Sequence, residues 1–146
     1  MTYSIGQVAD KTGLSAYTLR YYDYEGLMPF VQRTAAGRRR FTEHDLEMIE
    51  LITCLKDTGM ALKDIRHVVE VAQQGDQSLG QRLALFKAHR DRVDAQIAQL
   101  QTYRRKIDYK VRYFEAACEA GTEAAVEGNC HLPDMPIRIN DALRVK

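Results

Sequence analysis

No apolar run in this 146-residue chain approaches the ~18 residues needed to cross a bilayer, and residues 1–11 lack the hydrophobic segment of a signal peptide. A cytoplasmic protein with no membrane partner is expected. Cysteine is scarce: Cys54, Cys118 and Cys130 are the only three. An odd count in a chain without export features argues against a disulfide scaffold and for reduced thiols or metal ligands. Catalytic signatures are missing as well. There is no Gly-rich phosphate loop, no HExxH metalloprotease motif and no GxSxG nucleophile elbow, so an enzyme is not expected.

An excess of one charge is also lacking, since the net charge is +1. That near-neutrality is a cancellation, with +3 over residues 1–42, −5 over 43–76, +6 over 77–114 and −3 over 115–146. Two basic blocks could meet a polyanion. Hydrophobic residues make up 45% and charged residues 28% of the chain, which is ordinary globular usage and excludes a disordered or fibrous class. The length suits one domain, or one domain with a helical appendage.

Residues 1–76 are predicted to form one helical unit. Ser4 and Gln7 have capping-box spacing ahead of Ile5, Val8 and Ala9, and Gly13 offers a left-handed corner. Ser15 then caps a second helix running to Tyr24, in which Leu19 and Tyr22 share the core face. Tyr17, Thr18, Arg20, Tyr21 and Tyr24 are left as candidate contacts. Arg33 and Arg38-Arg39-Arg40 lie on two short strand-like pieces around Gly37, a small basic hairpin. Thr42 and Asp45 restart helix along Leu46, Ile49, Ile52 and Leu55 until Gly59, and a further helix covers about residues 62–74. A helix-turn-helix followed by a basic wing places its second helix in the DNA major groove while the wing grips phosphates.

From Leu79 the pattern changes. Leu79, Leu83, Phe86, Arg90, Val93, Ile97, Leu100, Arg104, Ile107, Val111, Phe114 and Cys118 recur in alternating steps of four and three. This is the period of a coiled-coil seam, and no Pro or Gly lies between residues 81 and 121. A helix over residues 79–118 would be ~60 Å long and could not bury such a stripe alone, so a homodimer is inferred. Arg90 and Arg104, seven residues either side of Ile97, interrupt the stripe. In an antiparallel pair, Asp94, Asp108 or an anion would have to separate them from their copies. The segments are therefore residues 1–76 for DNA binding, 77–120 for pairing and 121–146 as an effector or tail segment. A short helix is expected over 122–126, then a poorly ordered tail or docking strand from about residue 132.

The string Leu14-Ser15-Ala16-Tyr17-Thr18-Leu19-Arg20-Tyr21-Tyr22-Asp23-Tyr24-Glu25-Gly26-Leu27, with Gly37-Arg38-Arg39-Arg40-Phe41 and the helix ending Thr58-Gly59-Met60, resembles the MerR family of bacterial transcription regulators. The match covers about residues 3–75, and the coil agrees in position. The resemblance implies a mainly helical protein: a winged helix-turn-helix domain followed by a long antiparallel coiled-coil dimerisation helix. It implies binding to palindromic double-stranded promoter DNA, with bending and untwisting of a long spacer so that RNA polymerase engages both promoter elements. It assigns Arg20 and Tyr21 to recognition-helix contacts, Arg33 and Arg39 to wing contacts, and Lys56 to a backbone contact. The family commonly has an aromatic residue directly after the wing glycine. Arg38 stands there in this chain, and its charge should raise the salt dependence of binding.

The effector divides into three routes. Metal-sensing members place two cysteines about a loop at the coil end. Cys118 and Cys130, with His131 adjacent, are candidate metal ligands with a longer spacing, against the alternative that Cys118 is a small hydrophobe in the seam. The segment around Cys54 resembles the branch whose cysteine responds to aldehydes or electrophile stress, which makes Cys54 a candidate redox sensor; a packed, inert thiol is the alternative. An organic ligand held by Tyr103, Tyr109, Tyr113 or Phe114 is the third. No cofactor is expected, with a metal ion as the exception to test. A regulator without inducer, or a helical adaptor using the coil alone, is the competing function.

Overall fold

The computed structural model describes residues 1–128 and 135–146. The chain divides into two compact units, Met1–Arg90 and Asp91–Lys146.

In the first unit the helices begin where the capping chemistry lies. The Gln7 amide donates to Ser4 Oγ at 3.3 Å and the Ser4 amide to Gln7 Oε1 at 2.9 Å, opening α1 (Ile5–Thr12). Gly13, at φ +74°, turns the chain through the left-handed region that a side chain resists. Ser15 Oγ accepts from the Thr18 amide at 3.0 Å and starts α2 (Ala16–Tyr24).

The two strands of the wing, β1 (Gln32–Arg33) and β2 (Arg39–Arg40), pair antiparallel with Arg33 opposite Arg39. The intervening turn closes through the Gly37 amide donating to Thr34 O at 2.9 Å. Tyr3 adds a third rung that the sequence pattern did not reveal, exchanging both backbone hydrogen bonds with Phe41 at 2.7 and 3.0 Å. Its hydroxyl donates to Glu43, and that acceptor raises the Tyr3 pKa above its ordinary value.

The reciprocal capping of Thr42 and Asp45 opens α3 (Glu43–Asp57), and α4 (Leu62–Ala72) follows. Ile65, Val68, Val69 and Val71 are the buried residues of α4. Val8, Leu19, Tyr22, Leu27, Met28, Phe41, Ile49, Ile52, Ile65 and Val69 form the core of this unit. Each such aliphatic or aromatic side chain contributes about 1.5–3 kcal/mol by leaving water. Arg66 on α4 donates to the Glu25 carbonyl at 2.7 Å, placing a cation on the exposed carbonyls after α2, where it is favourable.

After a 3₁₀ turn (Gly75–Ser78), α5 runs without a break from Leu79 to Ala120. The early turns of α5 complete the first core. Leu85 packs against it, and buried His89 shares a 2.7 Å hydrogen bond with Thr58 Oγ1 through its Nε2. Along the seam Leu79, Leu83, Phe86, Ile97, Leu100, Ile107, Val111 and Phe114 are exposed. Arg104 Nε lies 4.0 Å from Asp108, one turn on, so one of the two seam arginines carries its own counter-charge.

In the second unit, of the two expectations for the end of the chain, a poorly ordered tail is corrected for residues 135–146 and a docking strand is found. Residues 123–125 form a 3₁₀ turn, and β3 (Val126–Glu127) pairs antiparallel with β4 (Arg138–Ile139). The chain then returns to the end of α5, where the Val145 amide donates to the Ala120 carbonyl at 2.7 Å. Gly121, at φ +78°, sits beneath that contact; a Cβ there would meet Val145 O at 2.6 Å. Tyr109 is fully buried in this unit. That burial fits the packing alternative for aromatics at helical spacing. Among the described residues no helix is long and apolar enough to cross a membrane.

Candidate nucleic-acid interface

The polar face of α2 is set by which of its residues the core takes. Leu19 and Tyr22 are buried. Tyr17 and Tyr24 are 78% and 86% exposed, and Arg20 and Tyr21 are also exposed. Four large hydrogen-bonding side chains therefore stand on nine residues of helix. Thr18 differs from the others. It is half-buried, and its Oγ1 accepts from Ser15 Oγ at 2.9 Å, so it belongs to the cap as much as to the outer face.

The wing arginines separate into two kinds. Arg38 and Arg40 are exposed and make no ion pair among the described residues. Arg33 and Arg39 both reach Asp23 on α2: Arg39 Nε donates to Asp23 Oδ2 at 2.7 Å and Arg33 Nη2 donates to the same oxygen at 3.0 Å. Arg33 Nη1 also donates to the Gly37 carbonyl at 2.8 Å. The Arg39 side chain is 19% exposed and that of Arg33 50%. Lys56, exposed near the end of α3, lies with Nζ 5.3 Å from the centroid of the buried Tyr22 ring. A cation over that ring is held at the surface by the residue that anchors α2 in the core.

Asp23, which joins the two arginines, is a residue that sequence reading passed over. Its signal was faint: a carboxylate inside the basic first block, on a helix otherwise furnished with tyrosines and an arginine. Together the helix and wing present guanidinium and phenol groups, which suit phosphate and guanine contacts.

The sensor candidates are placed elsewhere. Cys54 lies on α3 and is exposed with a free thiol in the single chain, not packed within it. Its carbonyl accepts from Thr58 Oγ1 at 2.7 Å. Cys118 is also a free, exposed thiol on the seam side of α5, beside Ile107, Val111 and Phe114. Cys130 and His131 lie outside the described residues. No group of three or more His, Cys, Asp or Glu side chains capable of holding a metal occurs among the described residues.

Comparison with known proteins bears directly on this arrangement. A family model described as MerR HTH family regulatory protein matches residues 3–71, and one described as MerR, DNA binding, matches residues 46–109. An HTH-type transcriptional regulator of Haemophilus influenzae is 44% identical over 136 residues, covering 93% of this chain and 98% of its own length. The HTH-type transcriptional regulator YyaN of Bacillus subtilis is 33% identical over 113 residues, covering 69% of this chain and 82% of YyaN. Among solved structures, HiNmlR, a MerR family regulator lacking the sensor domain and bound to promoter DNA, aligns with a TM-score of 0.79 and 45% identity. The alignment covers 86% of this chain and 100% of that one.

Proposed function

The chain belongs to the MerR family of DNA-binding transcription regulators, and from that membership we propose that it binds a palindromic promoter site as a homodimer and distorts the DNA to control initiation by RNA polymerase. The observation that carries the reading is the exposed face of α2, held beside an arginine wing by Asp23. It occurs in a chain similar, over the whole of that neighbour's length, to a regulator bound to promoter DNA.

In this reading Arg20, Tyr17, Tyr21 and Tyr24 enter or border the major groove, and Arg33, Arg38, Arg39, Arg40 and Lys56 meet phosphates. Residues 1–76 read DNA, 77–120 pair with a second copy, and 121–146 are the effector or tail segment. Pairing is supported by the exposed apolar seam of α5, since a stripe of this kind is removed from water by a matching helix. Response to an effector belongs to the same proposal, with Cys54 as its exposed thiol. Action in the cytoplasm, as with other regulators of this type, completes it.

The test is a gel-shift titration against a duplex selected by the full chain from a random-sequence library, repeated at several salt concentrations. Specific binding that weakens steeply with salt is expected. Arg38→Ala should flatten the slope of log affinity against log salt by about one unit, the value for one lost phosphate contact. Failure to select or shift any duplex would leave the helical-adaptor reading in its place.

A further inference from the structure

Resting on the DNA-binding reading above, we propose that Asp23 is a positioning residue for recognition: it locks the wing to α2 and orients two wing arginines toward the phosphates. A carboxylate among DNA-facing tyrosines and arginines is at first sight misplaced, because it repels a polyanion. Its bonding explains its presence. One oxygen, Oδ2, accepts from Arg39 Nε at 2.7 Å and from Arg33 Nη2 at 3.0 Å. These arginines come from opposite strands of the wing and face each other across the same rung.

Two like charges directly opposite on a hairpin repel, and strands of two residues each are too short to fix their own place. The shared carboxylate cures both faults. Through Arg33 Nη1 on the Gly37 carbonyl, the link reaches the wing turn as well. Asp23 is itself largely enclosed, with its side chain 24% exposed, so the pair is worth more than a solvated surface contact. Arg39 makes no other side-chain hydrogen bond among the described residues. Its two terminal nitrogens therefore remain as a fork that a phosphate can bridge. The ordering is done before DNA arrives, and binding loses less freedom as a result.

Electrostatics and positioning predict opposite signs, which makes the inference testable. Removing a negative charge from a DNA-facing surface should tighten binding to any duplex. Removing a positioning group should weaken binding to the selected duplex alone. We expect Asp23→Asn and Asp23→Ala, each checked for a cooperative thermal transition, to lose about tenfold or more in affinity for the selected duplex. Binding to random-sequence duplex should stay unchanged or tighten, and Asp23→Glu should recover part of the loss. In an Arg39→Ala, Arg33→Ala background, Asp23→Ala should add little, because its partners are gone. Equal or tighter binding of the selected duplex by both Asp23→Asn and Asp23→Ala would overturn the inference, as would full additivity in that background. A wild-type chain that selects no duplex would instead defeat the DNA-binding reading itself, and this inference with it.

Discussion

At the scale of single residues, exposure rather than identity separates the side chains that build this protein from those that act. Tyr22 and Tyr24 differ by two positions on one helix, yet the first is enclosed in the core and the second is 86% exposed. The 3.6-residue period made that division readable in advance. Cys54 was less readable, since free cysteine is among the most buried residue types. Its exposure on α3 gives the resemblance to electrophile-responsive relatives a concrete trial. Cys54→Ser should keep wild-type affinity for the selected duplex while losing the change in transcription that an aldehyde produces. A transcription assay with purified polymerase, with and without the aldehyde, measures this; an undiminished aldehyde response in the serine variant would remove Cys54 from the sensor.

At the scale of elements, α1, α2 and α3 each start on capping chemistry within a few residues, whereas α4 starts after Ala61 without a side-chain cap. The capping boxes at Ser4 and Thr42 and the left-handed Gly13 were legible because their partners lie three or four positions away. The Ser15 cap matters most for function, since it sets where α2 begins and therefore where its outer face points. Ser15→Ala removes an acceptor for the Thr18 amide and the donor to Thr18 Oγ1. It should cost about 1 kcal/mol in urea unfolding. The Tyr3 rung on the wing was not legible, and neither were the partner and register of the docking strand expected after residue 132. A one-residue bridge and two-residue strands are too short to carry an alternating pattern, so nothing local announced them.

At the scale of the whole molecule, the seam of α5 is the feature with no use in a single copy. Residues 97, 100, 107, 111 and 114 leave apolar side chains in water along an uninterrupted helix. A charge at the middle of that seam would be enclosed and unpaired if the helices associate. Ile97→Asp should therefore raise the dimer dissociation constant by about a hundredfold or more, roughly 3 kcal/mol. Sedimentation equilibrium reads the pairing directly, and affinity for a palindromic duplex should fall in parallel. Unaltered sedimentation at micromolar concentration would mean that the seam is covered by something other than a second copy.

Sequence alone determined the order and type of the helices, their capped ends, the basic wing and the period of the seam. Each of these depends on hydrogen bonds or side-chain spacing within one or two turns, so the neighbours of a residue in the chain are enough to specify it. Tertiary structure alone decided that Asp23 would gather Arg33 and Arg39, that Tyr109 would be buried, and that Val145 would close over Gly121. The contacts of Asp23 and of Val145 join residues ten to twenty-five positions apart. Among many charged and aromatic candidates, which ones meet is set by how loops close and elements pack, and no local pattern encodes that choice.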